Sequence, residues 1–250
     1  MRHFFPFIMT FAFAALPAAA QTPRPPKPYQ PVAITRSAAF DDASFTTFRL
    51  ALGTIAKHRL YAELTPLVLT QGFFWDRDFG RGFDPRKPAV DNLAAAISLE
   101  GGNGAGWETL ASFAAEDTAE PLPSRPGVIC APARPDYDSV AFSKLLEATY
   151  TAGIDWAFPR RDATVVRAAS QPDAPKLATL DASFVRLLGF SGAGSEAAPG
   201  RNLWAHIALP DGTPGFVPPG SLMSLTSERL CYIKDLLGVW HVAGYVAGGN

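Results

Sequence analysis

The sequence predicts an α+β chain in which a mostly helical first domain is followed by a small β-barrel. Three observations carry this. Between Asp41 and Thr149, apolar residues recur at spacings of three and four, the period of helices that pack one face on a core. From Thr164 the period drops to two and the apolar segments shorten, as they do in strands. Leu203 to Leu209 and Gly215 to Val217 flank Asp211-Gly212, a dipeptide favoured where a tight hairpin needs positive φ. Pro218-Pro219-Gly220 then removes two ladder donors, so the chain must turn before the short apolar run Leu222 to Leu225.

The chain has 250 residues, which is room for two modest domains. Residues 1–20 have a basic start (Arg2, His3), an apolar run from Phe4 to Leu16, and Ala18-Ala19-Ala20 before Gln21. This is the layout of a secretory signal cleaved near Ala20. A membrane span needs about 20 apolar residues, and this run is shorter, carries Pro6 and is followed by Pro17. The expectation is a periplasmic or secreted protein whose mature chain has no transmembrane segment. The formal net charge is −1 and no basic block occurs, which argues against a nucleic-acid partner.

An oxidising compartment gives meaning to the only two cysteines, Cys130 and Cys231, each in a β-like run. A bridge between them would clamp the middle of the chain to its end, closing a loop of about 100 residues. Two buried free thiols are the alternative.

Taken in order, residues 21–35 form a proline-rich linker, with prolines at 23, 25, 26, 28 and 31 favouring extended polyproline II. Residues 36–159 form the mainly helical domain. Asp42 caps a helix striped by Phe45, Phe48, Leu52 and Ile55, and a second apolar set (Leu60, Leu64, Leu67, Val68) is interrupted by Pro66. Val90 to Leu99 and Trp107 to Ala115 continue the helical period across a glycine-rich linker, Gly101 to Gly106. Gly127 to Ala131 is a short strand, and Asp138 opens a further helix with Phe142, Leu145, Leu146 and Thr149 on one face. Residues 160–250 are the barrel. Its strands are Thr164 to Arg167, Leu177 to Leu180, Phe184 to Phe190, the Asp211-Gly212 hairpin, and a final hairpin of Ser227 to Lys234 with Val239 to Val246.

Gln71 to Pro85 mixes aromatics, charges and glycines. Asp76, Asp78 and Asp84 have a spacing like that of a calcium loop, but Arg81 stands where the loop needs glycine and Lys87 where it needs a bidentate glutamate. The residues suit a glycine-bent loop with Asp76 paired to Arg77 or Arg81. Trp75 and Asp76 are its candidate ligand-binding residues.

The second half resembles bacterial SH3-like (SH3b) domains from Ala163 to Leu225. The resemblance is carried by Val166-Arg167-Ala168-Ala169-Ser170, by Asp173-Ala174-Pro175 with the strand after it, by Trp204 with His206-Ile207-Ala208, and by Asp211 to Val217. The chain departs from the family pattern at Ser170-Gln171-Pro172 and at Phe216, where an indole or phenol is usual. The resemblance implies a barrel that serves as a cell-envelope interaction or cell-wall targeting module. Trp204, Phe216 and Tyr232 then either fill the core or face a ligand.

The residues offer little catalytic chemistry. His58, His206 and His241 form no zinc motif, and Gly189-Phe190-Ser191-Gly192-Ala193 lacks the last glycine of a nucleophile elbow. The reading is a non-catalytic protein without metal or cofactor, binding a cell-wall component or an envelope protein. The alternative is a cell-wall hydrolase with a divergent site.

Overall fold

A computed structural model describes residues 26–77, 82–191 and 203–247. In chain order the first half contains β1 (Ile34–Thr35), α1 (Ala43–His58), α2 (Tyr61–Leu64), β2 (Phe74–Arg77), α3 (Ala89–Ala96), α4 (Ala105–Ala115), β3 (Glu120–Pro121), β4 (Val128–Ala131), β5 (Asp136–Tyr137) and α5 (Ser139–Thr149). The second half contains β6 (Trp156–Pro159), β7 (Thr164–Arg167), β8 (Lys176–Leu180), β9 (Val185–Ser191), β10 (Trp204–Ala208), β11 (Pro214–Val217), β12 (Leu222–Ser224), β13 (Arg229–Lys234) and β14 (Trp240–Ala247).

The helices form where periodicity and caps place them. Asp42 and Asp138 each accept hydrogen bonds from two amides of the first turn, starting α1 and α5. The architecture, however, corrects the α+β expectation. Among the described residues it is mostly β, with fourteen strands in three sheets and five short helices packed on them. The first half is not a helical domain, because its helices rest on a five-stranded sheet of order β2-β14-β13-β4-β3. Two of those strands come from the end of the chain.

The second half is not a closed barrel either. Its seven strands form an open sheet of order β12-β6-β9-β10-β11-β7-β8, antiparallel throughout, whose edges β12 and β8 do not pair. The physical reason lies in β6 and β13. Trp156–Pro159 is apolar on both faces and fully buried, so it enters the sheet between β12 and β9. Strand β13 is also buried on both faces over its first four residues, and it pairs with the equally buried β4. In that register Cys231 lies opposite Cys130, and the two form a disulfide across a separation of 101 residues. Both cysteines are fully buried.

Helices α1, α3 and α4 cover one face of the five-stranded sheet. Phe45, at the centre, lies 5.0 Å from Tyr232 and 4.9 Å from Trp240, ring to ring, and Leu52, Leu93, Leu110 and Leu230 complete this core without exposure. The opposite face carries the disulfide with Phe74, Val128, Ala243 and Val246. In the seven-stranded sheet, Val166, Leu180, Val185, Ala205, Ile207 and Val217 share one core drawn from five strands. Residues 26–35 pack against this sheet: Tyr29, Val32 and Ile34 are buried beside Trp156 and Phe184, and β1 pairs with β5. No helix of the described residues is long and apolar enough to cross a membrane.

Candidate functional site

The Asp211-Gly212 hairpin forms as its sequence requires. Gly212 has φ of +87°, its amide donates to Leu209, and the Asp211 carboxylate accepts from the Thr213 amide. That last bond, with the Thr213 side chain, holds the Asp211 carboxyl below the ordinary range. The hairpin fixes β10 against β11, and with it a row of side chains on the face of the sheet turned away from the core.

Alternation decides the composition of this row. Ala205, Ile207 and Val217 point into the core, so Trp204, His206 and Phe216 point the other way and are half-buried. Phe216 lies opposite His206, and the two rings stack at 4.7 Å with an interplanar angle of 12°. Arg167 of β7 is opposite Phe216, and Lys176 of β8 is opposite Arg167 beyond a shift of register between Val166 and Arg167. On the other side Gly189 faces His206 and Ser191 faces Trp204. At about 4.8 Å per strand, the row from Gly189 to Lys176 spans about 19 Å. The Arg167 guanidinium is steadied by donating to the Ala174 carbonyl at 2.7 Å. Such a surface offers ring faces for stacking and two cations for polar or acidic groups.

Trp204 and Phe216, both singled out by the sequence, are therefore brought to one face. His206 and Arg167, which share that face, were not among the candidates. The signal that could have found them is the alternation of Trp204-x-His206 with buried Ala205 and Ile207. Trp75 and Asp76 are not part of this site. As neighbours on β2 they take opposite faces of the five-stranded sheet. Trp75 packs toward the helix-covered core and lies edge-on to Tyr245 at 6.5 Å, and the Gly82 backbone lies so close over its indole that a Cβ there would come within 2.4 Å of the ring. Asp76 pairs with Arg125 at 3.3 Å, not with Arg77, and Arg125 in turn lies 3.9 Å over the Phe74 ring. The Arg81 alternative and Asp78 of the calcium-like spacing fall outside the described residues. Asp84 binds Arg86 in a bidentate pair at 3.0 and 3.1 Å, which with the Arg86 amide lowers its carboxyl to about 2. Tyr232, the third aromatic candidate, is fully buried against α1.

A second concavity of about 1000 Å³ lies between the two main sheets. Its walls include Phe113 of α4, Glu116 and Asp117 just after it, the cis-peptide-linked Pro132, Phe158 and Leu222 of the seven-stranded sheet, and Arg160 just beyond β6. Arg160 pairs with Glu116 across it, and Arg36 pairs with Asp162 at 2.5 Å while donating to the Pro159 carbonyl at 3.0 Å. Arg36, Arg160 and Glu116 are thus paired, and Asp117, Arg161 and Glu228 line the same concavity. Compared with family models, with curated proteins and with solved structures, the chain matches none.

Proposed function

We propose that this chain is a periplasmic or secreted, non-catalytic binding protein that holds a cell-wall component on the outer face of its seven-stranded sheet. The observation that carries the reading is the row Trp204, His206, Phe216 and Arg167 on one face, with the His206–Phe216 ring stack at its centre. Half-buried rings beside the held Arg167 guanidinium are what recognition surfaces use, and a rigid sheet presents them at a low ordering cost. The disulfide and the signal-like start support an oxidising compartment outside the cytoplasm.

The test is co-sedimentation of the purified chain, at micromolar concentration, with purified cell wall and in parallel with envelope extract. Retention by cell wall should fall at least about 10-fold in Trp204→Ala/Phe216→Ala, a loss of the size expected for truncating central aromatics. No retention by cell wall would remove the reading, and retention from envelope extract alone would replace the ligand by a protein. Clearing of a peptidoglycan gel by the chain would show it to be a hydrolase.

A further inference from the structure

The concavity between the two main sheets has a strand edge along one side. Pro219, Gly220, Ser221, Leu222 and Met223 all line it, and β12 is the outermost strand of the seven-stranded sheet. The register of β12 on β6 fixes which of its backbone groups face that edge. The Arg160 amide donates to the Ser221 carbonyl, so by alternation Met223 bonds Phe158 while Leu222 and Ser224 turn their amides and carbonyls away from β6. Leu222 lies opposite Pro159, which has no amide hydrogen to give. Ser224 is satisfied locally, its amide donating to the Ser227 hydroxyl and its carbonyl accepting from the Ser227 amide, both at 3.0 Å. The outward amide and carbonyl of Leu222 have no partner among the described residues.

The walls around this edge differ in charge. Glu116 and Asp117 follow α4 and Glu228 leads into β13, so the carboxylates stand on the five-stranded side. Arg160 and Arg161 follow β6 and stand on the other. With Glu116 bound to Arg160, two exposed carboxylates, Asp117 and Glu228, and one exposed guanidinium, Arg161, have no ion pair among the described residues. Apolar side chains complete the lining. Phe190 is 63% exposed there although it lies opposite Ala205, which points into the core. The concavity therefore opens on the core side of the sheet, away from the row of Trp204, His206 and Phe216.

We infer that this concavity binds an extended peptide segment, which adds to the edge of β12 through Leu222 and carries a basic side chain beside an apolar one. Two observations select this occupant. An amide and a carbonyl left open together at a strand edge match the main chain of another extended segment. The unpaired charges set its sign, because two carboxylates against one guanidinium favour Lys or Arg over Asp or Glu. The exposed Phe190 ring supplies the apolar contact, and a space of about 1000 Å³ is at the upper end of what ligand sites enclose. This site shares no residue with the row on the other face, so its test is independent of the cell-wall reading.

The probe is a positional-scanning library of blocked pentapeptides, incubated with the purified full chain, and the selected peptide is resynthesised for titration. The expected selection is Lys or Arg next to an apolar residue. Replacing its amides by esters one at a time should cost about 5-fold at the residue that pairs with Leu222 and little elsewhere, the worth of one backbone hydrogen bond. This series tests the pairing with the protein unaltered. Asp117→Asn/Glu228→Gln should also cost about 5-fold and flatten the salt dependence, and Phe190→Ala about 10-fold, both at the wild-type melting temperature. Trp204→Ala/Phe216→Ala should change affinity less than about 2-fold, because the two sites share no partner. No selection, selection of Asp or Glu, equal affinity of every ester analogue, or unchanged affinity in either cleft variant would overturn the inference. So would self-association of the chain, read by sedimentation equilibrium and abolished by Phe190→Ala, since a second copy would then fill the space.

Discussion

The two large sheets solve the problem of covering their faces in different ways. The five-stranded sheet is covered on both: α1, α3 and α4 on one side, and on the other a small cluster in which the disulfide sits with Phe74 beneath Arg125. Its central strands β4 and β13 accordingly lack alternation. The seven-stranded sheet packs an aliphatic cluster and, at β6, an aromatic one, and leaves part of its other face half-exposed, so β10 and β11 alternate. The lesson is a division of labour. The sheet that carries the cross-link and the aromatic core is covered on both faces, whereas the other keeps a half-exposed face with rings and Arg167 on it.

The sharpest way to break this comparison is to remove the cross-link. Cys130→Ala/Cys231→Ala should lose up to about 4.7 kcal/mol, the chain-entropy limit for a loop of about 100 residues. Guanidinium unfolding of oxidised protein against the double variant measures it, and a loss below about 1 kcal/mol would mean that the five-stranded sheet holds its end strands without the bond.

Close behind comes the contrast between the two aromatic groups. Phe45→Ala, in the fully buried centre between Tyr232 and Trp240, should cost about 3–5 kcal/mol. Phe216→Ala, on the open face, should cost less than about 1 kcal/mol. Equal costs in the same unfolding assay would place Phe216 in a core and remove the open face.

A smaller effect is expected at Asn92, which is 1% exposed. Its amide donates to the carbonyls of Asp84, Lys87 and Pro88 and its oxygen accepts from the Asp84 amide at 2.7 Å, tying the segment before α3 to that helix. Asn92→Ala leaves these backbone groups without their partner and should cost about 1–3 kcal/mol. Amide exchange over 84–88 should quicken with it, while exchange in β10 and β11 stays unchanged.

The smallest effect is electrostatic. The Asp84 carboxyl lies at about 2 against an ordinary 3.8, first because Arg86 binds it. Asp42 is also held low, first by the Ser44 hydroxyl and then by Lys234. A lowered folded-state value means that the contribution is complete above the ordinary value and is lost as pH falls through the folded one. For Asp84 that window runs from about pH 4 to about pH 2. Urea midpoints across it should drop less steeply in Asp84→Asn than in the wild type, and parallel slopes would deny the pair any stabilising part.

Much of the local structure was legible. Asp42 with Phe45, Phe48, Leu52 and Ile55 specifies α1, and Asp211-Gly212 specifies its hairpin, because capping and turn chemistry act between neighbours in the chain. Strands β2 and β6 were not legible. Phe74–Arg77 is too short and mixed to show a period, and Trp156-Ala157-Phe158-Pro159 lies at what looks like a helix terminator. Of the site, Trp204 and Phe216 could be named from their residue type, but the row joining them to Arg167 and Lys176 depends on register between four strands.

The sequence by itself determined where helices start and where hairpins turn, and it left the two cysteines open to bridging or to burial as free thiols. Only the tertiary structure decided that the last hairpin leaves the sheet it follows and completes the one begun at β2 and β4. The reason is that a strand buried on both faces carries no mark of its partner. Val128-Ile129-Cys130-Ala131 and Leu230-Cys231-Tyr232 are equally apolar on either side, and their pairing follows from packing under the helices and from the disulfide between them.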